Sequence, residues 1–403
     1  MNNMAKRKKK PLGRKKGTTP RKTSLWKGPV EDGLTQSLLS RWICCRERAR
    51  LYMVEGWRED GGFNEPLEFG NFWHEAEEAH NGGRKWLPPM QKYRDKLREE
   101  HGGGSEDLIR KWYSVARYTF PAYLKYWSTH SDEINRTPIF EEAAFRVPYT
   151  LPSGRRLTLR GKFDCVFRSG KSVYLQEHKT KTRVDEIGIT KTVDRNLQTM
   201  IYQLALHRFK AGHGTIDGWS DAKVAKAREG LQKYRIKGVL YNVIRRPLGD
   251  MRSIKQRKGR MVKGKRVGAE TEKEFYTRMV EKIMEEPREY FMRWKVILTK
   301  QDMDAFLERT LHPVMETFMD WWQSIEEDPF NPWVTTVAQP MESMVSGRHV
   351  ERVSVPNPFH FQAPWGVYNS LAGGFRGDFF EYLTDGSTTN LKQVSTLYPE
   401  LAV

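Results

Sequence analysis

The stretch Gly161-Lys-Phe-Asp164-Cys-Val-Phe-Arg-Ser-Gly170-Lys-Ser-Val-Tyr-Leu-Gln-Glu177-His-Lys179 decides how this sequence is read. Two strand-like runs flank a Ser169-Gly170 turn signal, which predicts a β-hairpin. With Ser169 and Gly170 as the turn residues, Asp164 lies opposite Leu175 and Glu177 is its diagonal neighbour. Side chains alternate along a strand, so Lys179 shares their face, and Val166, Val173 and Leu175 fill that face nearer the turn. Two carboxylates and an amine therefore gather at the open end of an apolar face. Converging carboxylates are hard oxygen ligands suited to Mg²⁺ or Mn²⁺. A cation held there can polarise a phosphate and acidify an attacking water, while the lysine orients or deprotonates that water. Taken alone, the hairpin reads more simply as a solvated face with a surface salt bridge, so its neighbours have to decide.

Downstream, a polar loop at 180–194 leads to a helix expected over about 195–210. Gln198 and Tyr202 stand four apart on one face of that helix, and Leu197, Ile201 and Leu204 pack it inward. Gln can hydrogen-bond a base or the backbone, and Tyr can stack on a base or bond a phosphate. Upstream, extended segments are expected at 139–150 and 156–168, joined by Pro152-Ser153-Gly154. Before them come helices at 34–55, 72–79, 88–100 and 106–128, the last two separated by Gly102-Gly103-Gly104. His74 follows Gly70 in Gly-Asn-Phe-Trp-His, where a neutral imidazole can complete a metal site. Beyond 210 the pattern gives a strand at 236–244, a helix at 271–286, a strand at 289–298 and a helix at 301–325. Helices, then a strand meander, then alternation imply an α/β or α+β architecture, a mixed sheet flanked by helices.

Charge points to the partner. The chain of 403 residues carries 69 Lys+Arg against 50 Asp+Glu, a formal net charge of +19. Such an excess suits a polyanion, either nucleic acid or an acidic membrane surface. Eleven of the cations fall in residues 1–27 without one acid, so residues 1–30 are expected to form a disordered basic arm, a DNA contact or a localisation tag. A second acid-free block, Arg252 to Arg266, forms a basic insertion at 251–267. Its Lys255, Arg257, Lys258 and Arg260 are candidate DNA contacts, with solubility the even alternative. No apolar run approaches the ~20 residues of a membrane span, and the N-terminus lacks the apolar stretch of a secretory signal. Three cysteines (Cys44, Cys45, Cys165) form no CxxC pair, which favours a reducing compartment. The expected location is the cytoplasm, with no membrane partner.

In chain order the motifs read G-x-x-x-H (Gly70, His74), G-x-x-D (Gly161, Asp164), E-x-K (Glu177, Lys179) and Q-x-x-x-Y (Gln198, Tyr202). This order resembles the PD-(D/E)XK nuclease superfamily, in particular its RecB-like branch of AddB-type and CRISPR-associated exonucleases. The resemblance implies a restriction-endonuclease-like core with a helical N-terminal elaboration, and DNA phosphodiester hydrolysis as its activity. It assigns metal binding to His74, Asp164, Glu177 and the backbone carbonyl of His178, with Mg²⁺ or Mn²⁺ as cofactor. It makes Asp164, Glu177 and Lys179 catalytic, Lys179 assisting the nucleophilic water, and has Gln198 and Tyr202 position substrate. Strand 236–244 followed by Arg245-Arg246-Pro247, Glu270-Thr271, Arg278 and Pro287 to Arg293 is similar to phage-encoded members, which extends the nuclease domain to 31–325.

Some relatives hold an iron–sulfur cluster through four cysteines. This chain has three, none within 326–403, so no cluster is expected. That C-terminal region, rich in Pro, Gly and aromatics, is then expected either to be held by Phe359, Phe361, Trp365 and Tyr368 or to be partly mobile. The function expected is a metal-dependent deoxyribonuclease of exonuclease type in recombination, repair or phage-type genome processing, with a recombination or helicase protein as a further partner. A non-catalytic DNA-binding scaffold on the same fold and a structure-selective endonuclease stay open as alternatives.

Overall fold

The structure, a computed structural model, describes residues 23–44, 46–59, 63–130, 136–182, 196–248, 254–262, 265–327, 329, 340–341, 353–354, 391–398 and 401. Most of the expected basic arm and the aromatics of 359–368 lie outside them. Two compact units emerge. The larger comprises 27–39, 61–320 and 398–403; the smaller comprises 1–26, 40–60 and 321–397.

The larger unit is built on one mixed sheet. Its strands are β1 (Leu34–Thr35), β3 (Arg136–Thr150), β4 (Arg156–Ser169), β5 (Ser172–Lys181), β6 (Thr215–Ile216), β7 (Arg235–Arg245) and β10 (Phe291–Ile297). The spatial order is β10-β7-β5-β4-β3-β6, with β1 alongside β4. Pairing is antiparallel except for β5 with β7 and β1 with β4. A parallel pair needs a crossover. Here it runs through helices α5 (Leu197–Lys210) and α6 (Asp221–Gln232), the second of which sequence periodicity did not bring out. Ser220 caps α6 by accepting from Lys223 N–H, and Val224, Ala227 and Leu231 bury its inner stripe.

Helices α3 (Glu65–Asn81) and α4 (Leu87–Ser128) join α7 (Glu272–Glu285) in an aromatic core of Phe69, Phe72, Trp73, Trp112, Phe120, Tyr123, Phe275 and Phe291. Fully burying a side chain of this size contributes roughly 1.5–3 kcal/mol. That explains one departure from the expected pattern. Gly102-Gly103-Gly104 does not separate two helices; α4 runs through it for 42 residues. Each mid-helix glycine costs about 1 kcal/mol against alanine. Met90 and Leu97 before the triplet, and Ile109, Trp112 and Val115 after it, pack into one core and outweigh that cost.

The expected helix at 34–55 is likewise reorganised. It begins as strand β1, continues as α1 (Gln36–Cys44) and α2 (Arg46–Arg50), and closes in a wide turn, Leu51–Glu55, at Gly56. The smaller unit contains that turn and the strand β2 (Trp57–Glu59), which pairs with Leu391–Gln393. Its core holds a dry ion pair: Arg50 donates to Glu55 at 2.5 Å, and Trp57 Nε1 donates to the other carboxylate oxygen at 2.8 Å. Trp26, inside the stretch expected to be a disordered arm, is fully buried and meets Trp322 edge-on at 4.5 Å.

Candidate active site

The hairpin turns one residue later than its sequence suggests. Ser169 pairs with Ser172, so Gly170 and Lys171 form the turn. A two-residue hairpin turn needs positive φ at its first position, and Gly170 supplies it at 58°. Parity is unchanged, so the expected face survives, but the register moves. Cys165 pairs with Gln176, which brings Asp164 level with Glu177 rather than Leu175. On the other side of β4, the pairs Glu141–Cys165 and Ala143–Phe163 bracket Glu142 and set it level with Asp164. Three carboxylates thus lie in one row across β3, β4 and β5.

Two glycines let the helices close on this row. Gly70 lies where α3 approaches β5; a Cβ there would sit 3.2 Å from Thr180 Oγ1. One turn later α3 presents His74. Gly161 lies beneath the Tyr202 and Phe145 rings, and a Cβ would meet each at 2.7 Å. Tyr202 is thereby packed edge-on against Phe145 and Phe163, and burial first, then the nearby Glu177 and Asp164 charges, raises its hydroxyl pKa. The glycines of G-x-x-x-H and G-x-x-D are therefore clearances for His74 and Tyr202.

Each outer carboxylate of the row is held by an amine. Lys179 Nζ donates to Glu177 Oε1 at 2.6 Å and to Gln198 Oε1 at 2.9 Å, and Gln198 Nε2 donates to the same Glu177 oxygen at 2.7 Å. Lys162 Nζ lies 2.5 Å from Glu142 Oε2, and His74 Nδ1 lies 3.9 Å from Glu142 Oε1. Ligand atoms of His74, Glu142 and Asp164 all fall within 4.8 Å of one another.

Electrostatics follow from this crowding. Burial, then the charge of Glu177, pushes Asp164 up to about 7. Burial alone would lower His74, but Asp164, Glu142 and Glu177 around it raise it to about 9. Burial would raise Glu142, yet His74 and Lys162 bring it below its ordinary value. The apo site is an acidic pocket that retains protons a cation can replace.

His178 is fixed from behind. Its backbone N–H donates to Asp164 Oδ2 at 2.9 Å, while its ring enters the core between Gln176 Nε2 at 2.8 Å and Asn242 Nδ2 at 2.9 Å. Asn242 Nδ2 also reaches Tyr123 at 2.7 Å and Glu77 at 3.2 Å. Burial, then the charge of His74, drives the His178 pKa well down, so the ring is neutral. A neutral imidazole has one N–H, yet both its nitrogens face amide NH₂ groups, and Gln176 Oε1 has no partner.

Of the residues singled out in the sequence, His74, Asp164, Glu177, His178, Lys179, Gln198 and Tyr202 come together here. Lys255, Arg257 and Lys258 do not join them; they are exposed, Lys255 and Arg257 in the segment leading into a separate two-stranded ribbon, β8 (Lys258–Val262) and β9 (Lys265–Ala269), and Lys258 on its first strand, of which Arg260 is also part. Glu142 and Lys162 were missed. Glu142 has no motif partner at short spacing, and Lys162 sits unremarked inside G-x-x-D. One signal of Glu142 is conformational: among the described residues it is the non-glycine with positive φ, 44°. Holding a bulky residue there costs on the order of 1–3 kcal/mol.

A family model for the PD-(D/E)XK nuclease superfamily matches residues 34–333, about three quarters of the chain. The chain belongs to the PD-(D/E)XK nuclease superfamily. No curated protein matches it significantly. Membership implies a phosphodiester-cleaving nuclease with DNA as substrate, and nucleases of this superfamily typically use divalent metals. The residues present fit such an ion. Two carboxylates and an imidazole within ligand reach form a hard O/N donor set of the kind that binds Mg²⁺ or Mn²⁺. Among the described residues no helix is long and apolar enough to cross a membrane.

Proposed function

We propose that this chain is a Mg²⁺- or Mn²⁺-dependent deoxyribonuclease of the RecB-like branch, an exonuclease acting in recombination, repair or phage-type genome processing. The observation that carries this reading is the carboxylate row, with His74 above it and Lys179 beside it. His74, Asp164, Glu177 and the His178 carbonyl hold the cation. When bound, that cation polarises the scissile phosphate and lowers the pKa of a coordinated water.

The chain's own groups do the rest. The His178 N–H fixes one oxygen of Asp164, leaving the other for a ligand. Gln198 holds both Glu177 and Lys179, which aims the Lys179 ammonium along the carboxylate row, where it orients the water and offsets charge developing on the phosphate. Tyr202 braces Gly161, and with Gln198 it sets the wall against which substrate lies. Lys255 and Arg257 before the ribbon, with Lys258 and Arg260 on it, bind the DNA backbone away from the chemistry. The base of the ribbon is tied down: Arg257 N–H donates to Glu270 at 2.8 Å, and Arg278 binds the same carboxylate at 2.7 Å. Chiefly through Arg278, that contact takes Glu270 down to about 2.

The test is purified protein with linear and circular DNA, with and without Mn²⁺. Metal-dependent loss of the linear form alone supports an exonuclease. Cleavage of both indicates an endonuclease, and cleavage of neither, with salt-sensitive binding, indicates a binding protein. Lys179→Ala or Asp164→Asn is expected to abolish cleavage and leave DNA binding largely intact.

A further inference from the structure

We infer that Glu142 is a ligand of the divalent cation together with His74 and Asp164, and that Lys162 is the positioning residue that holds it there. The inference rests on the metal-dependent reading above and adds to it a residue outside the four motifs.

Three observations converge on Glu142. By register it stands level with Asp164, on the side of β4 away from Glu177. Its carboxylate meets the His74 and Asp164 ligand atoms within 4.8 Å. Its two oxygens are already divided: Oε2 is bound by Lys162 at 2.5 Å, and Oε1 faces His74. A carboxylate with one oxygen pinned by an ammonium presents the other as a monodentate ligand in a fixed direction, the service that outer partners perform at metal sites.

The arrangement repeats that of Glu177 across Asp164. In both pairs the acid is sunk and the amine half-open: Glu142 and Glu177 are 15% and 6% exposed, Lys162 and Lys179 35% and 34%. The left-handed backbone of Glu142 fits the same account. Glycine would adopt this backbone at no steric cost; the glutamate brings a carboxylate to the row at the expense of that strain.

The experiment is Mn²⁺ titration of the metal-free protein by calorimetry, with thermal melting of the same samples. Glu142→Gln keeps the shape and removes the charge; it is expected to weaken Mn²⁺ binding at least tenfold. Glu142→Gly is expected to weaken binding as much while melting no lower than wild type in the absence of metal, since the strained backbone relaxes. Lys162→Met is expected to weaken Mn²⁺ binding about 3- to 10-fold, with recovery in Lys162→Arg, which restores the cationic contact; outer partners of metal ligands typically contribute 10–100-fold, and this one is half-open.

Wild-type Mn²⁺ affinity in both Glu142 variants overturns the inference. So does a Glu142→Gly protein that melts well below wild type, which makes the residue structural. Should Glu142→Gln fail to fold, the glycine variant decides alone. Wild type that binds Mn²⁺ in a Glu142-dependent way yet cleaves no nucleic acid overturns the nuclease reading and leaves this one standing.

Discussion

Glu177 with Lys179 and Glu142 with Lys162 are two acid–amine pairs on either side of Asp164, and they differ in how the chain encodes them. The first pair is local. Its members stand two apart on β5, so strand alternation alone puts them on one face. The second pair is assembled by tertiary register, Glu142 from β3 and Lys162 from β4, and is level with Asp164 only because the long β3–β4 ladder is in phase. Local encoding leaves a motif; register encoding leaves none. A site read from motifs alone is therefore read on one side.

The largest expected effect removes what the two pairs share. Asp164→Asn should lower metal-dependent cleavage by about 10³-fold or more, because it takes a carboxylate from the centre of the row. Next comes the contrast between the amines. Lys179→Met should lower the single-turnover rate about 10²- to 10⁴-fold, the range of a positioned proton-transfer group. Lys162→Met should cost about tenfold or less, and largely disappear at saturating Mn²⁺, as loss of an outer partner does. Equal losses would abolish the distinction between a reacting and a positioning lysine.

A third test uses pH. Cation binding needs Asp164 ionised and His74 neutral, and their protons are held to about 7 and about 9. Mn²⁺ affinity should therefore rise from pH 6 to 9, by about tenfold per unit for each proton displaced. The metal-free protein should move the other way. His74 is raised above its ordinary 6.5, so its contribution to stability is complete below that value and is lost as pH climbs through about 9. Asp164, raised above 3.8, favours the folded state while protonated and loses that advantage as pH rises through about 7. Melts across pH 6–9, with and without Mn²⁺, should diverge.

Smaller effects probe the supports. Asn242→Leu removes the amide linking His178, Tyr123 and Glu77 and should cost about 1–3 kcal/mol by denaturant unfolding, as buried partners are left unsatisfied. Gly103→Ala should stabilise by up to about 1 kcal/mol, since a Cβ there meets open space within an unbroken helix.

The legible parts of the molecule were those encoded within a few residues: the hairpin face, the Gln198–Tyr202 spacing on α5, and the mixed sheet between helices. The turn was misplaced by one residue because Ser169-Gly170 and Gly170-Lys171 are both acceptable turn pairs in sequence, and only the positive φ of Gly170 separates them. The break expected at Gly102 to Gly104 failed for the complementary reason. Propensity is local, while the aromatic core that keeps α4 whole is drawn from α3, α7 and β10. The His178 network was hidden because Glu77, Tyr123 and Asn242 come from three separate elements.

The ladder between Leu391–Gln393 and β2 bears on where this chain can be shortened. Similarity to the superfamily stops at residue 333, which invites truncation there. Yet Gln393 Nε2 donates to the Glu55 carbonyl at 2.9 Å, Tyr398 donates its hydroxyl to the Gly33 carbonyl at 2.8 Å, and Leu401 is buried. A chain cut at the family boundary would lose an edge strand from one unit and a buried tyrosine from the other. A shortened chain for expression and crystallisation should therefore keep the segments 391–398 and 401.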